Sequence, residues 1–242
     1  MVYKWLNRIQ RIIYPPTCLL CDGAGAEHQD LCRACYGELP RLGSACALCA
    51  RPLPGAGICG ACQARPPPFD SAWAPFLYRA GIAELVAGLK FQGKLTNARL
   101  LGELMAQQAL AVGLARPDVF IPVPLHPARL RARGFNQALE LARPLARRFG
   151  APLWWQACSR QRNTAAQSSL RAAQRLTNLR GAFRAQRDLG KLSCVVVDDV
   201  LTSGSTAREL ATELKRAGAA CVHIWVCARA TQGYRPGEAA LA

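Results

Sequence analysis

Apolar runs alternate with amphipathic repeats along most of this chain. Short apolar runs bounded by turn residues are typical of buried strands, whereas repeats at a spacing of three to four residues are typical of helices. The apolar runs predict strands at 72–78, 118–124, 192–197 and 219–230. The repeats predict helices over 81–112, 134–150 and 206–218. Strands that alternate with helices favour an α/β fold, with a parallel sheet and helices on both faces.

Turn and helix-breaking residues divide, kink or end the predicted helices. The step at 91–94 breaks the first repeat into two helices. Pro144 is expected to kink the next helix, which Gly150 closes. Gly218 ends the last one. The polar, arginine-rich segment 156–178 shows neither repeat, and we predict that it is extended or loop-like.

Composition narrows the class of protein. A chain of 242 residues allows one large domain or two smaller ones, and 51% apolar residues are enough for a core. No apolar run is long enough to span a bilayer. The N-terminus lacks the apolar region and cleavage site of a signal peptide, so we expect a cytoplasmic location. Its apolar residues lie at helical spacing and predict a short docked helix, with a membrane-surface helix as the alternative: Trp5, Ile9, Ile12 and Ile13.

The cysteines predict two zinc sites. Eight of the 12 fall in Cys-x-x-Cys pairs, at Cys18 and Cys21, Cys32 and Cys35, Cys46 and Cys49, and Cys59 and Cys62. Two intervening residues let both thiolates of a pair turn onto one ion, and four thiolates make a closed tetrahedral zinc site. Sequential pairing and an interleaved cross-brace both fit this spacing. Disulfides are the rival interpretation, but nothing in the sequence indicates secretion.

A triple proline at 66–68 marks a boundary, because it continues neither a helix nor a central strand. We therefore predict an N-terminal helix and double zinc ribbon over 1–66 and a second domain over 69–242. The remaining cysteines have no partner spacing: Cys158, Cys194, Cys221 and Cys227. The last three lie in apolar runs and are expected to be small core residues.

The net charge of +16 is unevenly distributed. Residues 126–187 contain 13 arginines and a single acid, Glu140, whereas residues 1–70 carry 7 basic and 5 acidic residues. Such density indicates a polyanionic partner, either a phosphorylated small molecule or nucleic acid. Arginine's planar fork suits bidentate recognition of phosphate.

Residues 195–206 read VVVDDVLTSGST and raise the sharpest functional hypothesis. We expect the strand to end at Val197, so that Asp198 and Asp199 lie at its carboxyl edge and face a cleft. The loop that follows leads into the helix beginning near Thr206, and its N–H groups, with Gly204 allowing close approach, form an anion nest. The acids would accept hydrogen bonds from sugar hydroxyls or hold Mg²⁺. The alternative is a turn whose aspartates and hydroxyls only cap the helix.

This stretch resembles the phosphoribosyl pyrophosphate (PRPP) motif of type I phosphoribosyltransferases. Further segments resemble the ComF family of bacterial competence-associated, phosphoribosyltransferase-like proteins, which includes those called GntX. They are VPLHPARLRARGFNQALELA at 123–142, Arg160-x-Arg162-x-Thr164-x-x-Gln167, RLTNLRGAF at 175–183, and Lys90-Phe91-x-Gly93. With the double zinc ribbon, the resemblance covers nearly the whole chain.

The resemblance implies a role for each matched position. Asp198 and Asp199 would contact ribose. The 5′-phosphate would lie on Thr202, Ser203, Gly204, Ser205 and Thr206. Pyrophosphate would face the loop after the strand at 118–124, with Arg129, Arg131 and Arg133, and Mg²⁺ would stabilise the departing charge. A mobile hood that excludes water would include Arg160, Arg162, Thr164 and Gln167.

Two functions of different classes follow. The first is Mg²⁺-dependent phosphoribosyl transfer, or its reversal, on a base or nucleotide. The second is non-enzymatic binding of single-stranded DNA or a competence-machinery protein, with the sugar-phosphate pocket retained for sensing. The second predicts an affinity that falls steeply with salt. His126 is expected to position its loop rather than act as a general base.

Overall fold

The computed structural model describes residues 15–26, 29–162 and 181–231. The helices are α1 Arg33–Gly37, α2 Gly60–Ala64, α3 Ala80–Gln92, α4 Leu95–Ala111, α5 Pro127–Arg133, α6 Gln137–Phe149 and α7 Ser205–Arg216. The strands are β1 Ser71–Trp73, β2 Phe76–Leu77, β3 Val119–Pro122, β4 Cys158–Arg160, β5 Phe183–Ala185, β6 Ser193–Leu201 and β7 Cys221–Arg229. The predicted N-terminal helix and two predicted hood residues, Thr164 and Gln167, lie outside the described residues. Within these ranges no helix is both long and apolar enough to cross a membrane.

The strands form the predicted parallel sheet. β6 pairs with β3 on one side and β7 on the other. β1 and β2 both pair with the far edge of β7, also in parallel. The carboxyl ends of β6 and β7 finish side by side, where Leu201 pairs with Arg229. β4 and β5 form a separate antiparallel pair.

Helices cover both faces of this sheet, as predicted. Alternate residues of a strand point to opposite faces, so Val195 and Val197 pack into a core with α3, α4 and α6. Cys194 packs on the other face, in a core with α7. Cys194 and Cys227 are buried as expected, whereas Cys221 is only half-buried.

Both zinc ribbons pack on this layered unit. In the first ribbon (18–39), Leu31 is buried in the core that α3 and α4 share, and Asp30 pairs with Arg99 of α4. In the second ribbon (46–62), Ala50 is buried in the opposite core. Because ribbon side chains share the cores of the sheet, the boundary near 66–69 stays a prediction.

The end of β6 differs from the sequence-based expectation. The strand continues past Val197 through both aspartates to Leu201. The reason is its neighbour, since β7 is equally long and pairs with β6 as far as Leu201. An apolar run identifies the buried part of a strand, but backbone pairing sets its length.

One further segment was predicted wrongly. The arginine-bearing loop after β3 is the short helix α5. Pro127 starts this helix, and the His126 side chain caps it by accepting a hydrogen bond from the Ala128 N–H at 3.2 Å. Within the segment predicted to be extended or loop-like, Cys158–Arg160 is extended and forms β4, because Phe183–Ala185 pairs with it.

Candidate functional site

The eight paired cysteines form two tetrads. Cys18, Cys21, Cys32 and Cys35 make one, and Cys46, Cys49, Cys59 and Cys62 make the other, with all sulfur atoms of a tetrad within 4.8 Å of one another. The Sγ atoms of Cys21 and Cys32 are 3.8 Å apart, and those of Cys49 and Cys59 are 3.7 Å apart. Four sulfurs at about 2.3 Å from a zinc ion would be about 3.8 Å from one another. The geometry therefore fits two zinc ions with sequential pairing.

Backbone N–H groups favour one thiolate in each tetrad, whereas hydrogen bonds from neighbouring sulfurs raise the pKa of Cys35, and burial followed by neighbouring sulfurs raises that of Cys62. Burial opposes ionisation of Cys18, but backbone N–H groups, that of Cys32 foremost, lower its pKa to about 6. Cys46 occupies the corresponding position in the second tetrad. Burial again opposes ionisation there, and N–H groups led by that of Cys59 lower its pKa to about 6. Thiolate is the form that binds zinc.

The strand separates the two aspartates that were expected to face one cleft. Because they are consecutive in β6, their side chains leave opposite faces of the sheet. Asp198 lines a cavity beneath the loop that leads into α7, with a volume of about 350 Å³ when the solvent it opens to is counted. Asp199 points toward α3, where it is 3% exposed and its Oδ2 lies 2.8 Å from Lys90 Nζ. Only Asp198 is therefore placed to meet a ligand in this cavity.

Asp198 has an unusual electrostatic setting. Burial, followed by the charge of Asp199, raises the pKa of Asp198 to about 7. Lys90 and Arg160 act in the opposite sense. Because burial and the charge of Asp199 destabilise the ionised carboxylate, a cation or a hydrogen-bond donor in the cavity would stabilise it.

One hydroxyl of the loop reaches the start of α7. Gly204 is the N-cap residue, with a left-handed φ of 78° and no side chain of its own, and Ser203 Oγ accepts a long hydrogen bond of 3.5 Å from the Ser205 N–H. The Oγ atoms of Ser203 and Ser205 are 3.0 Å apart. Of the alternative interpretation, in which aspartates and hydroxyls cap the helix, only the hydroxyl of Ser203 makes such a contact. The first-turn N–H groups have no intrahelical partners, and Ser205 and Thr206 line the cavity together with Asp198.

The predicted arginines differ in their surroundings. Burial and then the charge of Arg129 lower the pKa of Arg160, whereas Asp198 acts in the opposite sense, so these three groups share one electrostatic environment. Arg160 is 8% exposed and packs over the Phe183 ring. Arg133 instead donates to the side-chain oxygen of Gln137 at 2.6 Å. Arg131 and Arg162 are exposed.

The sequence indicates no individual role for two cations at the site. Lys90 belongs to a family motif, but its partner Asp199 is 109 positions away in the sequence. Arg229 is the last residue of β7 and is 7% exposed. It donates to the carbonyl oxygens of Leu201 and Thr202, at 2.6 and 2.7 Å. An arginine that ends an apolar strand gives no signal of such contacts.

A broad groove adjoins the site. It has a volume of about 2310 Å³, counting the solvent it opens to, and is lined in part by Phe135, Trp154, Trp155, Arg160 and Arg187. The Trp155 side chain is 56% exposed. The Arg187 guanidinium lies 3.7 Å from the centre of the Trp154 ring. Arg131 and Arg133 are not among the described residues that line this groove.

Two family models and several known proteins are similar to this chain. The family model of the double zinc ribbon domain matches residues 9–63, and that of the phosphoribosyl transferase domain matches residues 136–240. The DNA utilization protein YhgH of Salmonella typhi is 39% identical over 167 residues, which are 67% of this chain and 74% of that protein. Competence protein F of Haemophilus influenzae is 32% identical over 160 residues, 63% of this chain and 70% of that protein.

Parts of this chain are also similar to solved structures. A glutamine PRPP amidotransferase from B. subtilis, complexed with ADP and GMP, is 25% identical with a TM-score of 0.36, over 52% of this chain and 25% of that one. A purine phosphoribosyltransferase from Pyrococcus horikoshii is 17% identical with a TM-score of 0.33, over 55% of this chain and 82% of that one.

Proposed function

Because this chain belongs to the ComF family of competence-associated, phosphoribosyltransferase-like proteins, we propose that it binds PRPP, or a related ribose 5-phosphate compound, with Mg²⁺ at the carboxyl end of β6. One observation carries the proposal: a single cavity joins the carboxylate of Asp198 to the first residues of α7. A phosphorylated sugar offers both of the groups that this cavity would recognise, an anion and neighbouring hydroxyls.

The 5′-phosphate is assigned to residues 202–206. Helix N-termini attract anions, because their free N–H groups and the helix dipole point toward the ligand. Thr202 and Ser203 are exposed, and Thr206 lines the cavity, so their hydroxyls can add donors. Gly204 has a left-handed backbone that most residues avoid.

The ribose hydroxyls are assigned to Asp198. A hydroxyl that donates to this carboxylate would relieve part of the cost of its burial. Asp199 has a different role, since its ion pair with Lys90 lies on the other face of the sheet. It holds Lys90 and acts on Asp198 by its charge.

Pyrophosphate and Mg²⁺ are assigned to the side of the cavity nearest Arg129 and Arg160. The residue that fits Mg²⁺ is Asp198, because a carboxylate oxygen is a ligand that this ion prefers. When bound, Mg²⁺ would neutralise pyrophosphate charge. The guanidinium groups would orient the leaving pyrophosphate and stabilise its charge while the anomeric carbon exchanges its bond to pyrophosphate for a bond to the acceptor base or nucleotide. Asp198 stabilises the positive charge that develops on ribose.

Titration calorimetry with PRPP and Mg²⁺ tests this proposal. Asp198→Asn and Thr206→Val are each expected to weaken binding by about ten-fold, as for loss of a hydrogen bond to a charged group. Thr212→Val is the matched control, because Thr212 lies later in α7 and its hydroxyl donates to the Arg208 carbonyl. Absence of PRPP binding, or equal effects of Thr206→Val and Thr212→Val, would contradict the proposal.

The groove supports a second function, the binding of single-stranded DNA. Non-specific single-strand binding combines aromatic side chains, on which bases stack, with cations that follow the backbone. Trp155 is an exposed aromatic side chain of this groove, and Arg160 and Arg187 also line it. The carrying observation is that an exposed aromatic side chain and cationic side chains line one groove.

Fluorescence anisotropy with a labelled oligothymidine tests the second function. Trp155→Ala is expected to weaken binding by about ten-fold, which corresponds to loss of one stacked base. The control is Phe91→Ala, since Phe91 is 79% exposed and lies outside the groove lining. The affinity is expected to fall steeply with salt. Equal effects of the two substitutions, or insensitivity to salt, would count against DNA binding in this groove.

A further inference from the structure

Arg229 connects the second zinc centre to the loop that leads into α7. Its Nε donates to the carbonyl oxygen of Cys49, a member of the second tetrad, at 3.0 Å. Its Nη1 lies within 2.7 Å of the carbonyl oxygens of Leu201, Thr202 and Ala230. A single buried guanidinium therefore reaches from the zinc ribbon to both residues at which β6 ends and the loop begins.

These contacts fix the orientation of the loop backbone. In a trans peptide the carbonyl oxygen and the following N–H point in opposite directions. Because Arg229 holds the carbonyl groups of Leu201 and Thr202, the N–H groups of Thr202 and Ser203 point away from Arg229. The same residues begin the segment assigned to the 5′-phosphate. Arg229 thus holds the side of the loop that a ligand would not contact.

The second zinc centre offers the buried charge of Arg229 an anionic neighbour. A buried cation is costly unless a partner compensates for it. Among the described residues no carboxylate forms an ion pair with Arg229. Four thiolates outweigh the charge of one zinc ion, so a loaded second tetrad is anionic. This tetrad is the anionic centre that Arg229 reaches.

The first zinc centre makes different contacts. Around it, Asp30 pairs with Arg99, and the Gln29 side chain donates to that of Gln107 at 3.0 Å. Both partners belong to α4, which packs on the other face of the sheet from α7. The two zinc centres are therefore alike in chemistry but unlike in what they contact.

We propose that the second zinc centre holds the phosphate loop in its ligand-ready shape through Arg229, and that the first zinc centre does not. Arg229 is a positioning residue in this account, since it acts on the ligand through the loop backbone. The part of the inference that concerns loop order stands on the contacts alone. The part that concerns ligand affinity rests on the proposed function.

Amide hydrogen exchange of residues 200–207 in the full-length chain tests the inference. Cys62→Ser opens the second tetrad, and Cys35→Ser is the matched control at the corresponding position of the first. We expect Cys62→Ser and Arg229→Met each to speed exchange in this segment by about ten-fold, as for loss of a charge-assisted hydrogen bond. Cys35→Ser is expected to leave it unchanged.

The double variant Cys62→Ser/Arg229→Met separates coupling from independent damage. If Arg229 carries the effect of the zinc centre, the double variant exchanges no faster than either single one. Arg229→Lys adds a rescue, because an ammonium group donates to several carbonyl oxygens but does not also reach Cys49. In the Arg229→Lys variant we expect slow exchange of residues 200–207, and we expect that adding Cys62→Ser does not speed it.

Two measurements keep the outcome decisive. Exchange in β3 reports global unfolding, and zinc analysis reports which centre is lost. If Cys62→Ser unfolds the whole chain, Arg229→Met and Arg229→Lys, each with both zinc ions bound, still test whether Arg229 orders the loop. Faster exchange of residues 200–207 in Arg229→Met but not in Arg229→Lys supports the inference. Equal effects of Cys35→Ser and Cys62→Ser in folded chains, multiplicative effects in the double variant, or unchanged exchange in Arg229→Met would overturn it.

Ligand affinity gives an independent readout. Arg229→Met is expected to weaken PRPP binding by about ten-fold, and Arg229→Lys to restore most of it. If the wild-type chain binds no PRPP, the proposed function fails, whereas the exchange measurements still decide whether Arg229 orders the loop.

Discussion

At the scale of single residues, Asp198 and Asp199 show how a strand gives different chemistry to two adjacent carboxylates. Both follow the same apolar run, and the sequence treats them alike. Asp199 lies buried against Lys90, whereas Asp198 faces a cavity and has a pKa raised to about 7 by burial and by Asp199. The side-chain alternation of β6 makes this distinction, because it assigns them to opposite faces.

The raised pKa of Asp198 predicts how stability changes with pH. Its folded pKa of about 7 exceeds the value of about 3.9 expected in an unfolded chain. Between these values the folded chain binds more protons, so the free energy of unfolding falls as pH rises from about 4 to 7 and then levels off. Asp198→Asn removes this penalty. A difference of about three pKa units corresponds to about 4 kcal/mol. We therefore expect its Tm to exceed the wild-type Tm by about 8 °C at pH 8 and to equal it at pH 4.

Thermal unfolding at the two pH values measures this difference. A Tm difference that is the same at pH 4 and pH 8 would mean that Asp198 does not titrate as described.

The ion pair between Lys90 and Asp199 makes a second prediction at this scale. Lys90→Met leaves a buried carboxylate without its partner, which costs about 3 kcal/mol. Denaturant unfolding at pH 7 measures that loss. The control is Arg143→Met, which removes an exposed pair with Glu140 and is expected to cost about 0.5 kcal/mol or less. Similar losses in the two variants would show that burial does not distinguish these pairs.

At the scale of elements, the order of strands and helices was easier to predict from the sequence than the residues at which they begin and end. The alternation of strands and helices was correct because each apolar run has a helix-spaced repeat beside it. The length of β6 was not, since its last residues pair with β7 although they are not an apolar run. The helix α5 was missed because its arginines suggested a loop, although Pro127 and His126 are a start signal that could have identified it.

The candidate site could be proposed from the sequence only in part. The loop around Gly204 could be proposed because its residue types carry the chemistry locally. Contacts of Lys90 and Arg229 could not, because their partners are far away in sequence. The hood positions Thr164 and Gln167 lie outside the described residues and stay predictions.

The contact between α4 and α6 makes a prediction that concerns two helices. Gly102 lies in α4 where a Cβ would be 2.8 Å from both the Leu141 carbonyl oxygen and Pro144 of α6. We expect Gly102→Ala to force the helices apart and to cost about 2 kcal/mol in denaturant unfolding, as for an overpacked core. Gly37→Ala, in α1, is the control because nothing lies within 4 Å of its added Cβ. Wild-type stability of Gly102→Ala would contradict this close approach.

At the scale of the whole molecule, the zinc ribbons are part of the fold. Leu31 and Ala50, one from each ribbon, are buried in the two cores on opposite faces of the sheet. We therefore expect two zinc ions per chain and a single thermal transition. Chelation is expected to lower the Tm of that transition, because metal binding free energy contributes to folding. Calorimetry with and without a chelator measures this, and a sheet transition that chelation leaves unchanged would contradict it.

The most direct test of the account is a crystal structure of the chain grown with PRPP and Mg²⁺. The account predicts the 5′-phosphate within hydrogen-bond distance of the N–H groups of residues 203–206. It also predicts the ribose hydroxyls beside Asp198, with Asp199 still paired to Lys90. A phosphate bound elsewhere, or an empty loop at a saturating PRPP concentration, would contradict it.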